Sequence, residues 1–294
     1  MTIALATPDT EGLTVAADAL RDWQTEGAPM QLHPGDLGWY VRNGPRATAE
    51  AVRTWSRAGR ILAVGLLDGP GLVRLTTAPD ARRDEDLARR VADDVCVPGH
   101  GVLPEGRAAV EAPQDALVRE VLGERGWGID EPWTPLRRDL TAPVPPSDLA
   151  LETTGPDLAH LVAAVHRSAF PGSRFTDAGW RAMAAGPLFT EARCLLGRDE
   201  RGEAVATVTV WSAGPGRPGL LEPMGVHGDH RRRGHGRAIT LAAAAALREL
   251  GASSALVCTP SSNTGGVAAY VSAGFDRRPE IHDRFRPAEA DAAR

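Results

Sequence analysis

The chain has 294 residues, of which 43% are hydrophobic and 24% charged, and its formal net charge at pH 7 is −5. This length suits one large or two ordinary globular domains. The negative net charge argues against nucleic acid as a partner. No segment approaches the roughly 20 apolar residues that span a bilayer, so we expect no membrane partner either.

The cysteines and the start of the chain indicate a cellular compartment. Cys96, Cys194 and Cys258 are odd in number and lack the spacing with histidine that a metal site needs. We therefore expect free thiols in a reducing compartment, and no metal. Residues 1–11 contain no basic region followed by an apolar core, so we expect no signal peptide. The sequence thus predicts a cytoplasmic protein.

Two patterns in the first half of the chain recur in the second. Leu72–Leu75 is an apolar strand pattern that leads into a basic loop, and Leu117–Trp127 is a helical pattern that ends in a Gly-Trp pair. The proline-rich segment Thr141–Ser147 follows them. Proline fixes φ and removes a hydrogen-bond donor, so this segment is predicted to be an extended connector between domains 1–140 and 148–294.

The second half alternates between helix and strand patterns. Helical spacing predicts helices over Pro156–Ser168, Phe175–Ala184 and Arg237–Leu250. Thr176 is the expected N-cap of the second of these helices. Apolar and β-branched runs predict strands over Cys194–Leu196, Ala204–Trp211, Gly219–Val226 and Ser254–Cys258, with antiparallel strands in the tail Phe275–Phe285. The predicted class is α/β, with a mixed sheet flanked by helices.

A basic glycine loop joins the strand Gly219–Val226 to the third helix. It carries arginines at positions 231–233, followed by Gly234 and Gly236. Glycines at a helix N-terminus let backbone N–H groups approach an anion, and the helix dipole favours negative charge there. Arginines add charge-assisted bonds to phosphate oxygens. The loop has the chemistry of a phosphate or pyrophosphate site; the alternative is a helix N-terminus with an exposed basic turn.

Two common phosphate-binding loops do not fit this segment. A dinucleotide-binding fingerprint needs a third glycine where the chain has Ile239. A P-loop needs a lysine, and all 33 residues counted as Lys and Arg are arginine. The pattern that remains is Arg-x-x-Gly-x-Gly.

A second motif follows the strand Ser254–Cys258. Asn263 lies seven residues before Tyr270, and Tyr270 lies four residues before the pair Gly274-Phe275. The same residues also describe a short helix that Asn263 caps, that packs through Tyr270 and that ends at Gly274. The two interpretations can hold together.

Together the two motifs resemble the acyl-CoA signature of the GCN5-related N-acetyltransferases. The specific resemblance covers about residues 219 to 276. It implies a sheet that is splayed where the acyl arm enters, and acetyl-CoA or another acyl-CoA as co-substrate. It also implies a set of donor-binding residues from the strand end, the loop and the second motif: Met224, Gly225, Val226, Arg231, Arg232, Arg233, Gly234, His235, Gly236, Arg237 and Asn263.

The resemblance further implies that the Tyr270 hydroxyl protonates the departing CoA thiolate. Acylation of an amine also needs a proton acceptor. Glu222 is the candidate, because a strand period of two puts it on the same face as Met224 and Val226. The alternative is a partly exposed edge glutamate. The histidines that border the loop, including His230, are expected on the phosphate side or at the surface.

The two halves resemble tandem copies of one fold. Arg82 and Arg231 are 149 residues apart, and a glycine followed by an aromatic residue recurs at an offset of 148. The alternative is chance similarity between ordinary strand-helix patterns. The layout resembles tandem-domain members of the family such as the mycothiol synthases.

The first copy differs where the chemistry would occur. Acidic residues occupy positions 84–86, with Glu85 in the place of Gly234, and Leu122 stands where the second copy has Tyr270. Acids would repel a pyrophosphate. The N-terminal copy is therefore predicted to be degenerate and to cover the catalytic copy, forming one wall of the acceptor site.

The sequence thus predicts an N-acyltransferase that moves a short acyl group from acyl-CoA to a small-molecule amine. The acceptor pocket is expected from loops Phe170–Phe175 and Trp211–Gly219 and from the N-terminal domain. One alternative is a carrier-dependent acyltransferase, in which Arg232, Arg233 and Arg237 touch an acyl carrier protein and its pantetheine uses the same cleft. Another, from a different class, is a non-catalytic acyl-CoA sensor or scaffold.

Overall fold

The computed structural model describes residues 2–288, and the two halves of the chain repeat one order of elements. In each half, a strand and a group of helices precede three antiparallel strands, after which helices and strands alternate. The first half comprises β1 (Ala4–Ala6), α1 (Thr10–Trp23), α2 (Pro34–Tyr40), α3 (Pro45–Ala51), β2 (Val52–Arg57), β3 (Arg60–Leu67), β4 (Leu72–Thr77), α4 (Glu85–Cys96), β5 (Ala108–Glu111), α5 (Leu117–Glu124) and β6 (Gly128–Asp139).

The predicted helices and strands of the second half are confirmed, with ends that differ by a few residues. The half comprises β7 (Ala150–Thr153), α6 (Ala159–Ala169), α7 (Asp177–Ala184), β8 (Ala192–Arg198), β9 (Ala204–Trp211), β10 (Gly219–Val226), α8 (His235–Glu249), β11 (Ser254–Pro260), α9 (Thr264–Ser272), β12 (Asp276–Arg277) and β13 (Ile281–Arg286). Thr176 caps α7 as predicted, accepting a hydrogen bond from the Gly179 N–H at 3.1 Å. None of the helices in residues 2–288 is long and apolar enough to cross a membrane.

The ends of helices α5 and α9 have the same hydrogen bonds, as expected of tandem copies. The Trp127 N–H donates to the Leu122 carbonyl at 3.0 Å, and the Phe275 N–H donates to the Tyr270 carbonyl at 3.1 Å. The glycine before each aromatic residue has a φ of 84° or 81°, which favours glycine. The offset between the copies in the sequence therefore reflects equivalent backbone positions.

The strands of the described residues form one sheet that runs through both halves. Its order is β1-β2-β3-β4-β5-β13-β6-β11-β10-β9-β8-β7, with β12 also paired to β6. Strand β6 of the first half pairs with β11, and β13 of the second half pairs with β5. Each half is thus completed by the last strand of the other. Residues 141–149 lie in neither helix nor strand, but the hydrogen-bonded sheet crosses this connector.

Strands β10 and β11 diverge along their length. They are parallel and paired only at Gly219 with Ala255 and at Leu220 with Leu256. Beyond Leu220 the edge of β10 that faces β11 has no strand partner among the described residues. This is the splayed sheet that the family resemblance implied.

Helix α2 joins the two halves through two glycines. A Cβ at Gly35 or Gly38 would lie 2.4 or 2.3 Å from side-chain atoms of Trp211 on β9, so neither position has room for a side chain. A glycine inside a helix costs about 1 kcal/mol relative to alanine, which the close contact has to offset. Trp211 is fully buried there, and its indole N–H donates to the Glu222 carbonyl at 2.6 Å. The contact therefore holds α2 against the strand end at Glu222.

Gly38→Ala is expected to lower the free energy of unfolding by about 1–3 kcal/mol, because the added methyl group must displace the Trp211 ring. Urea unfolding monitored by tryptophan fluorescence measures this. Gly99→Ala is the control, since Gly99 is exposed and a Cβ there would meet no atom within 4 Å. Equal stability of the two variants would contradict the packing role of Gly38.

Candidate active site

The basic loop ends at a helix N-terminus without a side-chain cap. The N-cap of α8 is Gly234, which has a left-handed φ of 85° and makes no side-chain cap hydrogen bond. Backbone N–H groups of the first turn of α8 are therefore left for a ligand, and the dipole of this 15-residue helix favours an anion. This is the arrangement that binds phosphate at helix N-termini.

Two contacts with the end of α6 hold the loop in position. The Arg231 guanidinium donates to the Ala169 carbonyl at 2.7 Å, and the Gly228 N–H donates to Ser168 Oγ at 2.9 Å. Residues 231–233 are nevertheless exposed, so their guanidinium groups remain accessible to an anion. The loop thus combines a defined backbone with solvent-facing positive charge.

The loop forms one wall of a cleft of about 660 Å³, called here the loop cleft. Helix α9 and the strand end Met224–Val226 line it as well. A Cβ at Gly236 would lie 3.1 Å from the Cβ of Ala269, so glycine lets α8 and α9 approach closely. Of the predicted donor-binding residues, all except Arg233 line this cleft. The uncapped helix end and the arginines fit the pyrophosphate of an acyl-CoA.

The corresponding helix end in the first half is occupied by its own carboxylate. Asp84 caps α4 by accepting from the Leu87 N–H at 2.8 Å, and Arg57 donates to it at 2.7 and 3.0 Å. The caps align Asp84 with Gly234, one position earlier than the match to Glu85 made from the sequence, which was wrong by one residue. A pyrophosphate would have to displace this carboxylate from the helix end.

The second motif forms helix α9. Asn263 caps it by accepting from the Gly266 N–H at 3.1 Å, and its amide nitrogen donates to Thr259 Oγ1 at 2.9 Å. The Tyr270 side chain is buried, with its ring 6.0 Å from that of Phe275. The structural interpretation of this motif is therefore confirmed, and both residues also line the loop cleft.

A second cavity, of about 350 Å³, adjoins the loop cleft and is called here the central cavity. The two share Phe170, Met224, Asn263 and Tyr270 as lining residues, so they adjoin between the diverging strands. The first half of the chain contributes part of the central cavity's wall through Met30, Asp68, Leu72, Arg74, Glu111 and Trp133. The expected contribution of the N-terminal half is thus present.

Glu222 lines the central cavity together with Met224. The sequence argument for Glu222 assumed unbroken alternation through Met224 and Val226. Strand β10 instead carries one extra residue against β9 between Leu221 and Met224, which is a β-bulge. The bulge interrupts the alternation at Glu222, whose carboxylate approaches the guanidinium of Arg74 within 3.7 Å.

Arg74 of β4 lies at the centre of a charge cluster between the halves. Its guanidinium is 2.8 Å from Asp36 and from Glu111, and 3.7 Å from Asp68 and from Glu222. The Arg74 side chain is only 11% exposed, so these ion pairs are shielded from solvent. Four carboxylates share one guanidinium, which leaves an excess of negative charge.

Glu222 and Tyr270 are two titratable side chains that line the same cavity. Burial, followed by the charge of Asp36, raises the pKa of Glu222 to about 8 against the attraction of Arg74. Burial, followed by the charge of Glu222, raises the pKa of Tyr270 well above its usual value. At neutral pH Tyr270 keeps its proton, and the pKa of Glu222 is close enough to neutrality for this carboxylate to exchange a proton.

A third cavity, of about 510 Å³, shares Phe170, Glu222 and Pro223 with the central cavity. It is called here the side pocket, and residues 170 and 173–176 line it, as expected of an acceptor loop. Residues 211–219 line none of these three cavities, and their part in an acceptor pocket stays a prediction. Trp211 is instead buried against α2, where it packs on Gly35 and Gly38.

Five charged residues of the site escaped the sequence analysis: Asp36, Asp68, Arg74, Glu111 and Asp283. They lie outside both motifs, and four of them belong to the half predicted to be degenerate. One signal was available, because Arg74 interrupts the apolar pattern Leu72–Leu75. A charged residue within a buried strand pattern indicates a partner that the sequence does not identify.

A group of possible metal ligands lies beside the loop. Ligand atoms of Asp199, His230 and His235 lie within 4.8 Å of one another. His230 Nδ1 is 3.8 Å from Asp199 and has no hydrogen-bond partner among the described residues. His227 Nδ1 accepts from the Asp229 N–H at 3.4 Å and so belongs to the turn. This group is where a metal ion could be held, and the absence of a metal remains a prediction.

Comparison with known proteins agrees with this geometry. Residues 158–275 match the model of the acetyltransferase (GNAT) family. No curated protein matches the chain significantly in sequence. A tandem GNAT protein from the clavulanic acid biosynthesis pathway is 15% identical over 97% of this chain and 98% of its own, with a TM-score of 0.62.

Two further solved structures cover nearly the whole chain. A GCN5-related N-acetyltransferase from Sphaerobacter thermophilus is 17% identical over 97% of this chain and 95% of its own, with a TM-score of 0.57. A GNAT-family acetyltransferase from Colwellia psychrerythraea is 14% identical over 97% and 99%, also with a TM-score of 0.57. At these identities the structures establish the fold of both halves. Residues 158–275 thus match the GNAT family of acetyltransferases, and the whole chain has the tandem form of that fold.

Proposed function

We propose that the protein transfers an acetyl or other short acyl group from acyl-CoA to the primary amine of a small molecule. The observation that carries this proposal is that the loop cleft and the central cavity share Tyr270 in their walls, and that Glu222 lines the central cavity as well. A donor bound along the loop would bring its thioester to this junction. An amine in the central cavity would meet it there.

The donor would be bound at two places, one for its pyrophosphate and one for its pantetheine arm. The pyrophosphate would accept hydrogen bonds from N–H groups at the start of α8 and from the arginines at 231–233. The pantetheine arm would run along Met224–Val226, where β10 has no strand partner on the side of β11 beyond Leu220. Unpaired strand groups on that edge suit the amide groups of pantetheine.

The reaction forms a C–N bond and breaks the thioester C–S bond. An ammonium group would first give a proton to Glu222, and the amine lone pair would attack the thioester carbonyl carbon. As the C–S bond breaks, Tyr270 would donate its proton to the departing sulfur. The second proton that leaves the nitrogen restores the Tyr270 hydroxyl through solvent, so the products are the amide and the CoA thiol.

The two side chains would act in sequence. The negative charge of Glu222 is one of the causes that raise the pKa of Tyr270, after burial. Once Glu222 accepts a proton, that charge is neutralised and Tyr270 becomes a better proton donor. Cys258 also lines the central cavity, but burial raises the pKa of its thiol, which disfavours a covalent acyl-cysteine intermediate.

The exposed loop arginines would also suit an acidic acyl carrier protein as the source of the pantetheine arm. Turnover of acetyl-CoA against that of an acetylated carrier protein distinguishes the two donors. We further propose a cytoplasmic location, supported by three cysteines that form no disulfide within residues 2–288.

Gly236→Asp is expected to weaken acetyl-CoA binding at least about tenfold, or roughly 1.4 kcal/mol, because a carboxylate would enter the phosphate site. Isothermal titration calorimetry measures this affinity and is expected to give one site per wild-type chain, since Asp84 occupies the other helix end. Gly99→Asp, at an exposed glycine of the first half, is the control. Unchanged affinity in a folded Gly236→Asp protein, or two wild-type sites, would count against the proposed donor site.

Tyr270→Phe keeps the ring and removes the hydroxyl, so kcat is expected to fall by about two orders of magnitude with little change in acetyl-CoA affinity. Initial rates with an accepted amine measure this. Tyr40→Phe is the matched control, because Tyr40 is the only other tyrosine in the chain. Wild-type turnover in Tyr270→Phe would rule out the acid role, and no turnover in the wild type with tight acetyl-CoA binding would favour a sensor.

The pH dependence of kcat/KM is expected to rise to a midpoint of about 8, because Glu222 has to lose its proton before it can act as a base. In Glu222→Gln this rise is expected to disappear and the rate to stay low. Glu280→Gln, at an exposed position, serves as control. A Glu222→Gln protein with the wild-type profile would transfer the base role to another group.

A further inference from the structure

We infer that the acceptor is a diamine, or an amine with a second cationic group, of which one end reacts beside Glu222 and Tyr270 while Glu111 and Asp283 bind the other. This inference rests on the proposed acyl transfer and narrows its substrate. It follows from the charge, the strand pairing and the aromatic walls of the central cavity.

The charges that line the central cavity do not balance. Four carboxylates line it, from Asp68, Glu111, Glu222 and Asp283, and Arg74 is the one cationic side chain among its lining residues. Buried charge is costly unless it is paired. A ligand with positive charge would therefore gain attraction from the cavity and relieve repulsion within it.

Two other arginines supply only part of the missing charge, and neither lines the central cavity. Arg42 acts on Asp68 and Glu222 from the side pocket, where its guanidinium stacks 4.3 Å from the Trp39 ring. Arg119 attracts Asp283 but forms no salt bridge with it. Within the described residues, Asp283 has no salt-bridge partner.

The pairing of β5 with β13 places Glu111 and Asp283 near each other. Strands β5 and β13 pair antiparallel, with Arg284 opposite Val110 and Phe285 opposite Ala109. Continuing this register by one residue brings Asp283 opposite Glu111. Like charges in such a pair destabilise a sheet.

The electrostatics of this pair point the same way. Glu111 accepts a hydrogen bond from Arg74 at 2.8 Å, which leaves Asp283 without a cation. Burial, followed by the charge of Glu111, raises the pKa of Asp283 to about 7. One added positive charge would neutralise the repulsion between the two carboxylates.

The strand exchange creates this pair. Asp283 belongs to the last strand of the second half, which lies next to β5 of the first half instead of completing its own sheet. Glu222 and Tyr270 line the same cavity from the second half. Neither half alone contains both carboxylates and the reacting pair.

The apolar walls of the cavity suit a short alkyl chain with cationic ends. Trp133 and Phe170 line it and are 37% and 38% exposed, which is unusual for large aromatic side chains. Aromatic faces attract ammonium groups, and Met30 and Leu72 offer contacts for methylene groups. The cavity thus alternates carboxylates with apolar surface.

An acceptor with a carboxylate, such as an amino acid, is disfavoured. Arg74 is the group that would bind that carboxylate, but it already has carboxylates of Asp36 and Glu111 at 2.8 Å. It is also only 11% exposed. An anionic acceptor would have to replace one of these partners and meet the repulsion of the others.

The test compares amines of equal chain length with opposite charges at the far end. Linear diamines of three to six carbons are assayed with acetyl-CoA against the monoamine and the ω-amino carboxylate of each length. For the best diamine, kcat/KM is expected to exceed that of its monoamine at least about tenfold, since a charge-assisted hydrogen bond contributes that much. The amino carboxylate is expected to be the poorest substrate. Equal rates, or a preference for the monoamine or the amino carboxylate, would overturn the inference.

Asp283→Asn is the variant that tests the binding pair. It is expected to reduce the diamine-to-monoamine ratio of kcat/KM to about twofold or less, because it removes the second charge while keeping the shape. Asp276→Asn is the matched control, at an exposed position of the neighbouring strand β12, and is expected to keep the wild-type ratio. Melting temperature and acetyl-CoA affinity establish that both variants are folded. A wild-type ratio in Asp283→Asn would contradict the assignment.

Failure of the two proposals can be told apart. Acylation of all the amines without preference for diamines would leave the acyl transfer standing and refute the diamine. If no amine is acylated although acetyl-CoA binds, the proposed function fails. In that case calorimetric titration of the diamines into the CoA-bound protein still tests the cavity. The wild type is expected to bind the diamines more tightly than Asp283→Asn does. Equal binding by the two proteins, or undetectable binding, would overturn the inference.

Discussion

The contact of helix α2 with Trp211 is the constraint on which the site depends. Because Gly35 and Gly38 have no side chains, α2 approaches the indole closely enough to bury it. Trp211 in turn donates to the Glu222 carbonyl, at the bulge of β10. The same helix carries Asp36 to within 2.8 Å of Arg74. A packing contact between the halves thus determines where the charged groups of the central cavity lie.

The two copies of the fold have diverged into different tasks by small changes at equivalent positions. A glycine leaves the start of α8 open, whereas Asp84 fills the start of α4 and is held there by Arg57. The helix end of the first copy is therefore not open to an anion. This copy contributes instead the wall of carboxylates around Arg74, and the exchange of β6 and β13 joins that wall to the diverging strands of the second copy.

Charge links the parts of the proposed mechanism. The excess of carboxylates that would attract a cationic acceptor also raises the pKa of Glu222, after burial, and so makes it a stronger base. Binding of a cation beside these groups would favour their ionised forms. Proton transfer from the ammonium group to Glu222 would then remove the charge that opposes proton donation by Tyr270. Substrate recognition and proton transfer would therefore draw on the same electrostatic field.

The sequence by itself determined the features that depend on neighbours a few residues away. These include the helices and strands of the second half, the glycine loop, the cap formed by Asn263 and the copy relationship, since caps, turns and apolar periodicity are local. The regular alternation assumed at Glu222 does not hold, because the extra residue in β10 depends on its pairing with β9. Arg74 and Glu111 meet through the parallel pairing of β4 with β5, and only the strand exchange brings Asp283 to the same cavity. Tertiary structure decided that cavity, because which surfaces pack together depends on the shape and pairing of whole elements rather than on any local pattern.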